Sequence, residues 1–336
     1  MFVTPAEFTV PVRGDLELLE VPRATVTTFG KGRLRVAWGQ PSRFVTGAVH
    51  DDGGVLVPAS QRVGGLHYDH AVAADPGSLP PWAGRTEELA GTWLFGGTWF
   101  NHFGHFLTET LTTLWHREAV DGILFVPFWF GREVLDWQTE LLALAGRREP
   151  VRVVGAERVR VERLLVPERP VIPNGHVRPE AYDVWRSVAS AARSAGSPER
   201  VFLSRSRHHR AVEPGSRAAR RVADNEVELD TLMSRLGFVV VHAEELSVAE
   251  QVEAVAAARV LVGVSGSALH LSVFAPERAS VVELGDPRRA EGPVLTQQLL
   301  CRGADQPLAY VRFPAHGRAY DLELVRSLLQ EHRLVG

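Results

Sequence analysis

The chain has 336 residues, 45% apolar and 23% charged, a composition typical of globular proteins with about two domains. Its 37 basic and 40 acidic residues give a formal charge of −3, so the basic excess typical of nucleic-acid-binding proteins is missing. The single cysteine, Cys301, excludes an intramolecular disulfide and any metal site that needs two thiolates from one chain.

Lys31 is the only lysine, so lysine chemistry has one possible position. It lies in residues 29–33, which lack the upstream glycine and the following Ser or Thr of a phosphate-binding loop, and we expect neither P-loop nor Schiff-base chemistry. The first 15 residues contain no basic segment followed by an apolar one, which predicts no secretory signal. The apolar stretch over residues 86–108 is interrupted by glycines and polar residues, which predicts no transmembrane segment. We expect a cytoplasmic protein, with the inner face of the membrane as an alternative location.

The first half of the chain changes from strands alone to alternating strands and helices. Residues 8–66 are rich in Val, Thr, Phe and Gly with turn pairs, which predicts short strands and hairpins. Apolar residues recur at intervals of three and four over residues 102–119, which predicts an amphipathic helix. The elements predicted next are a strand at 123–130, a helix at 132–145, a strand at 159–167 and a helix at 179–195.

The second half alternates more regularly. Its predicted strands are residues 201–204, 238–242, 260–264 and 280–284, with helices at 225–236, 248–259 and 267–274, and a strand at 308–313 precedes a last helix that begins at Asp321. Apolar strands that alternate with helices predict a doubly wound α/β unit with a buried parallel sheet. Because ligands bind beyond the carboxyl ends of such strands, we expect the chemistry in the loops there.

The strand at 260–264 is followed by a run of small residues. Ser265, Gly266, Ser267 and Ala268 would let backbone N–H groups and a helix dipole approach an anion such as a diphosphate. The alternative interpretation is a tight turn in which Ser265 or Ser267 caps the following helix.

Arginines follow the strand at 201–204 and precede the helix at 225–236. The guanidinium groups of Arg205 and Arg221 can fork onto phosphate oxygens and stabilise the charge of a leaving diphosphate. The alternative is a solvated charged loop. For Asn225 the alternative is that it caps the following helix, because Asn225 and Glu228 have the spacing of a helix capping box.

The predicted helix at 102–119 carries a histidine and a carboxylate on one face. His105 and Glu109 are four residues apart, so one can orient the other as a general base, although a structural contact would have the same spacing. Aromatic residues that can stack on sugars or pack in a core surround them: Trp93, Trp99, Phe100, Phe103, Phe106, Trp115, Phe125, Phe128 and Trp129. The only local cluster of metal-ligand types, His-Tyr-Asp-His at 67–70, is interpreted as a loop.

Taken together, these segments resemble glycosyltransferase family 61. The residues that carry the resemblance are His105 and Glu109, Ser204 and Arg205, Arg221, Asn225 and Glu226, Gly237 and Phe238, Glu250 and Gln251, Gly263, Gly266 and Leu269, Phe274, and Glu283 and Leu284. The resemblance implies a GT-B fold of two facing Rossmann-like domains, an inverting mechanism and a nucleotide-sugar donor, usually UDP-linked. It also implies a role in bacterial surface polysaccharide synthesis.

The resemblance also implies domains and roles. The domains are an acceptor-side domain at 1–196 with a strand-rich start, a nucleotide-sugar-binding domain at 197–305, and a strand and helix at 306–336 that pack back across both. The catalytic base is Glu109 or His105, with the choice open. Donor binding is expected of Ser204, Arg205, Arg221, Asn225, Glu226, Ser265, Gly266, Ser267, Ala268 and Glu283, and acceptor binding of Trp99, Asn101 and His102.

The expected partners are a nucleotide-sugar donor and a glycan or other hydroxyl acceptor, with no nucleic acid, metal or cofactor. Peripheral membrane contact and the oligomeric state stay open.

Two other functions fit the sequence less well. Ser265, Asp286 and His316 occur in the order of an α/β serine hydrolase, although the turn lacks the second glycine of its nucleophile elbow. The same fold would also suit a non-catalytic protein that binds nucleotide sugars or glycans.

Overall fold

A computed structural model of the protein describes residues 2–4, 6–27, 49–65, 79, 82–128, 132–155, 157–194, 196–213, 216, 221–287, 292–315 and 317–335. The lysine segment at 29–33, the cluster at 67–70, Trp129 and His316 lie outside the described residues.

The described residues form a mixed α/β structure, as predicted. The strands are β1 (Phe2–Val3), β2 (Leu18–Val26), β3 (Val49–His50), β4 (Thr86–Trp99), β5 (Gly122–Pro127), β6 (Val151–Val153), β7 (Arg158–Pro167), β8 (Val171–Ile172), β9 (His176–Val177), β10 (Arg200–Ser204), β11 (Val239–His242), β12 (Val260–Val264), β13 (Ser280–Leu284) and β14 (Leu308–Val311). The α-helices are α1 (Phe103–His105), α2 (Asp136–Leu144), α3 (Pro179–Ala192), α4 (Ser206–Arg210), α5 (Glu226–Arg235), α6 (Val248–Val255), α7 (Leu295–Gly303) and α8 (Leu322–Glu331). Among the described residues, no helix combines the length and apolar character that a bilayer crossing needs.

Contacts divide the chain into two compact units. The N-terminal unit is Phe8–Val184, and the C-terminal unit is Trp185–Gly336 together with Met1–Glu7. The division of the chain into acceptor-side and donor-side domains stays a prediction.

The N-terminal unit is built on a sheet with the strand order β3-β2-β7-β4-β5-β6. Strands β4, β5, β6 and β7 pair in parallel, whereas β2 is antiparallel to β3 and β7. Valine and leucine side chains fill the core on this sheet, including Val126, Val161 and Leu164, all fully buried. β-Branched residues suit such a surface because their stiff side chains pack well on a pleated sheet.

Strand β4, which precedes α1, contains a bulge. The pairing of β4 with β5 shifts between Phe95 and Gly97, and a Cβ on Gly96 would lie 2.1 Å from the Phe125 ring, so only glycine fits there.

The predicted helix over 102–119 is a short α-turn at α1, a π-turn at Phe106–Thr110 and a 3₁₀ segment at Leu111–Trp115. Leu114 leaves the helical region, so the helix ends earlier than the spacing predicts.

The C-terminal unit is built on a sheet with the order β1-β14-β13-β12-β10-β11. Strands β10 to β14 pair in parallel, and β1 is antiparallel to β14. Every residue of β12 is buried, which explains why this strand reads as an uninterrupted apolar run. The segment Ser267–Phe274 is a 3₁₀ rather than an α-helix, and the tail contributes β14 and α8 to this unit.

Candidate functional site

Three residues predicted to bind a diphosphate come together in the C-terminal unit. Arg205 follows β10, and Gly266 follows β12 with φ +139°, a backbone conformation that L side chains rarely adopt. A Cβ placed on Gly266 would lie 3.1 Å from Nη1 of Arg205 and 3.7 Å from Nη1 of Arg221. Both guanidinium groups therefore lie directly at the glycine turn, although 16 positions separate the two arginines in the sequence.

Both guanidinium groups at this turn also contact oxygen atoms of the protein. Nη1 of Arg205 donates to the backbone oxygen of Ser265 over 3.4 Å, and Nε of Arg221 lies 3.9 Å from Oδ2 of the fully buried Asp286. The 3₁₀ segment begins at Ser267, and the first N–H groups of a helix have no partner within it. Two guanidinium groups and a helix start are a donor set suited to a diphosphate.

Buried hydrogen bonds hold the turn in place. The Ser265 hydroxyl donates to Oε1 of Glu283 over 2.5 Å, and Glu283, fully buried, also accepts from the backbone N–H of Val294 at 3.1 Å. Ser265 is 1% exposed. These contacts make Ser265 and Glu283 supports of the turn, and a hydroxyl bound to a buried carboxylate does not match the exposed nucleophile of a serine hydrolase.

Ser204 and Glu226 are also bonded within the protein. The Ser204 hydroxyl donates to Oδ1 of Asp230 at 2.6 Å, and Nδ1 of His209 lies 2.6 Å from Oε1 of Glu226. Both side chains are buried, so we interpret them as groups that fix the loops carrying Arg205 and Arg221.

Asn225 has a role that its local spacing does not predict. It occupies the N-cap position of α5, but its side chain makes no capping hydrogen bond. Instead, Nδ2 donates to the backbone oxygen of Tyr320 at 2.9 Å, and the Tyr320 N–H donates back to Oδ1 at 2.8 Å. The capping-box interpretation with Glu228 is therefore wrong, because the long-range bonds to Tyr320 take both polar atoms of the amide.

Tyr320 is a residue that the sequence analysis missed. Its hydroxyl is buried and makes no hydrogen bond among the described residues. Burial raises the pKa of this hydroxyl, as do the charges of Glu226 and Asp286, while Arg205 opposes the shift. A protonated donor therefore lies within electrostatic range of Arg205, and no local motif marks a residue 95 positions after Asn225.

The turn at Gly266 gives a first prediction. Gly266→Ala is expected to lower the free energy of unfolding by about 1–3 kcal/mol, because it strains the backbone and crowds Arg205. Chemical denaturation measures this change. Gly196→Ala in the same unit is the control, because a Cβ there would meet no atom within 4 Å. Equal effects of the two substitutions would contradict the close approach of Arg205.

The N-terminal unit holds the predicted histidine–carboxylate pair in contact. Nδ1 of His105 lies 2.7 Å from Oε1 of Glu109. The Glu109 side chain is only 2% exposed and that of His105 is 38% exposed. Arg62, which the sequence analysis missed, donates from Nε to Oε2 of Glu109 at 2.6 Å and from Nη2 to Oε1 at 2.8 Å.

The charge of Glu109 follows from these contacts. Burial by itself raises the pKa of this carboxyl, but the charge of Arg62 and the hydrogen bonds from His105 and Arg62 lower it to about 2. Arg169, also buried, lies within electrostatic range, and burial lowers its pKa to about 10. An ionised carboxylate can only accept hydrogen bonds, so Nδ1 of His105 carries a proton toward Glu109, and Nε2 is the ring nitrogen that does not face Glu109.

The predicted acceptor-side residues differ in exposure. Trp99 is fully buried, packs its ring edge-on against Phe106 and Phe125 and donates from Nε1 to the Glu133 backbone, so it is a core residue. Asn101 and His102 are exposed at the start of α1. Of the other predicted aromatic side chains that the structure describes, Phe100, Phe106 and Phe125 are buried, and Trp93, Phe103, Trp115 and Phe128 are partly exposed.

The Arg62–Glu109 pair gives a prediction for acid stability. The pKa of Glu109 in the folded protein is about 2, below the ordinary value of 4.5. Its contribution to the free energy of unfolding is therefore complete above pH 4.5 and is lost as the pH falls toward 2. We expect a loss of about 3 kcal/mol of unfolding free energy from this group over that interval. Urea denaturation at several pH values measures it. The double variant Arg62→Gln/Glu109→Gln should lack this component, and an unchanged pH dependence in that variant would contradict the assignment.

Comparison with known families identifies one match. The family model Glycosyltransferase 61 matches residues 103–282, more than half of the chain. The chain belongs to glycosyltransferase family 61. The matched segment contains His105 and Glu109 as well as Arg205, Arg221 and Gly266, whereas Arg62 and Tyr320 lie outside it. No curated protein matches the chain. Within the described residues, no group of three or more His, Cys, Asp or Glu side chains is arranged to hold a metal ion.

Proposed function

We propose that this family 61 protein is an inverting glycosyltransferase that moves a sugar from a nucleotide donor, UDP-linked, to a glycan or other hydroxyl acceptor. The observation that carries the proposal is the convergence of Arg205 and Arg221 on the Gly266 turn. We extend the proposal to a GT-B type of fold, to a cytoplasmic location and to surface polysaccharide or glycoconjugate synthesis. Two α/β units, each with its own sheet, support the fold assignment.

The donor's diphosphate is assigned to the Gly266 turn. Arg205 and Arg221 form charge-assisted hydrogen bonds to its oxygens, and the N–H groups of Ser267 and Ala268 complete the contacts. When the bond from the sugar to the diphosphate breaks, negative charge grows on the leaving oxygen. The guanidinium groups stabilise that charge, so the proposed transfer uses no metal ion.

His105 rather than Glu109 is assigned as the base. A carboxylate whose pKa is about 2, and whose oxygens both accept from Arg62, is a weak proton acceptor near neutral pH. His105 is partly exposed and holds its Nδ1 proton toward Glu109. Its Nε2 is therefore the atom that receives the proton, and Glu109 orients the ring.

The proposed reaction is a single displacement. The acceptor oxygen attacks the anomeric carbon and gives its proton to Nε2 of His105. The bond between the anomeric carbon and the diphosphate oxygen breaks, and its electron pair leaves with the nucleoside diphosphate. The new glycosidic bond has the opposite anomeric configuration, and the histidinium returns its proton to solvent.

A nucleotide screen followed by a transfer assay tests the proposal. UDP, GDP, TDP and CMP are compared by thermal shift with and without magnesium, because a ligand at about 100 times its Kd stabilises the folded state by about 2.7 kcal/mol. We expect UDP to give the largest shift, independent of magnesium. Incubation with UDP-sugars and hydroxyl acceptors should then give a product of inverted configuration by NMR. Stabilisation by none of these nucleotides, or a product of retained configuration, would refute the proposal.

A further inference from the structure

The most completely buried ion pair near the proposed base involves a residue outside the segment matched to family 61. The side chain of Arg62 is 1% exposed. Its Cζ lies 5.0 Å from the centre of the Phe100 ring and 5.1 Å from that of Phe128. Nε and Nη2 both point at Glu109, one at each carboxylate oxygen. The aromatic rings and the two-point contact leave the guanidinium group one orientation.

The contacts of Glu109 determine which nitrogen of His105 is protonated. Oε1 accepts from Arg62 and also meets Nδ1 of His105 at 2.7 Å. Arg169 is a further buried cation within electrostatic range of Glu109, and its Nη2 donates to the Thr98 hydroxyl at 3.4 Å. Arg62 therefore makes the direct two-point contact that keeps the carboxylate ionised beside His105.

We propose that Arg62 is a positioning residue of the transfer reaction, which holds Glu109 as an ionised acceptor so that His105 presents an unprotonated Nε2 to the acceptor hydroxyl. This role rests on the proposed function. Phe100 contributes to the same arrangement, because its ring stacks on His105 at 5.1 Å and also faces Arg62. One aromatic side chain thus contacts both ends of the Arg62–Glu109–His105 chain.

A purely structural salt bridge is the alternative, and stability alone cannot distinguish it. Removing one partner of any buried ion pair destabilises a protein. The protonation site of His105 does distinguish them, because a structural role would leave it unchanged. NMR of isotope-labelled histidine reports directly whether Nδ1 or Nε2 carries the proton, and this measurement needs no substrate.

The test compares Arg62→Gln with Arg147→Gln. Arg147 is a matched control, because it is 5% exposed, lies in the same unit and pairs with Glu149 at 2.9 Å rather than with Glu109. Both variants should lower the melting temperature. Only Arg62→Gln should change the protonated nitrogen of His105 and reduce kcat by about 10- to 100-fold, with the KM for the donor unchanged. Arg62→Lys keeps the positive charge but loses the two-point hydrogen bonding of the guanidinium group. This variant should keep the proton on Nδ1 of His105 and give an intermediate kcat.

Each outcome decides the proposal. An Arg62→Gln protein that folds with the wild-type His105 protonation site overturns it, as does equal behaviour of the Arg62 and Arg147 variants. If Arg62→Gln does not fold, wild-type kcat in Arg62→Lys overturns it, and an intermediate kcat with the Nδ1 proton retained supports it. If the wild-type protein transfers no sugar, the proposed function fails, while the NMR comparison still reports whether Arg62 controls His105.

Discussion

Replacing His105 by alanine is expected to lower kcat by about 10²- to 10⁴-fold, the usual contribution of a positioned general base. The reason is that Nε2 of His105 receives the acceptor's proton while Nδ1 is held by Glu109 at 2.7 Å. Donor binding should be unaffected, because His105 lies in the N-terminal unit and the diphosphate is assigned to residues of the C-terminal unit. Steady-state transfer rates and UDP titrations measure the two quantities separately.

Glu109→Gln and Glu133→Gln make this experiment specific. Glu109→Gln should also lower kcat, because the amide replaces an ionised acceptor next to His105 and its NH2 group can face Arg62 or His105. Glu133 is exposed, so its substitution by glutamine should leave kcat unchanged. A His105→Ala protein with wild-type kcat would remove His105 as the base. A binding protein without catalysis would show no turnover in any of these variants.

Removing the guanidinium groups at the Gly266 turn is expected to have the largest effect on the donor. Arg205→Ala and Arg221→Ala should each weaken UDP binding by about 10- to 100-fold, because a hydrogen bond to a charged group contributes about 1.5–3 kcal/mol. The loss in kcat/KM should be larger than the loss in UDP affinity, since the charge on the diphosphate grows as the sugar leaves. Isothermal titration with UDP and initial rates with the UDP-sugar test both statements.

Arg207→Ala is the matched control for these variants. Arg207 lies two residues after Arg205, but its side chain is about half exposed and pairs with Glu245. Its loss should change UDP affinity by less than about threefold, as for a surface ion pair. Similar effects of Arg205→Ala and Arg207→Ala would mean that general positive charge, rather than the geometry of the turn, attracts the nucleotide.

The sequence predicts contacts that depend on local spacing or on the order of buried strands. The apolar runs predict β12 and β13 to the residue, and the four-residue spacing predicts the contact between His105 and Glu109. Arg205 and Arg221 can be placed near Gly266 because the carboxyl ends of parallel strands share one edge of a sheet.

Long-range partners are what the sequence does not predict. Arg62 meets Glu109 across 47 positions and Tyr320 meets Asn225 across 95, and neither pair has a periodicity that could reveal it. Asn225 shows the difficulty, because its local environment suits a helix cap while a distant backbone binds the same amide. Trp99 is ambiguous for another reason, since an indole ring suits both a core and a sugar.

The first residues of the chain close a sheet whose other strands come from its second half. Phe2 and Val3 pair with Ala309 and Leu308, so β1 covers the outer edge of β14. Cutting the chain between Val184 and Trp185 would therefore not separate the two units cleanly. A C-terminal fragment made that way would expose the backbone donors and acceptors along Leu308–Val311, and such an open border invites pairing between molecules. Fragments meant to isolate nucleotide binding should carry residues 1–7 in fusion or in trans.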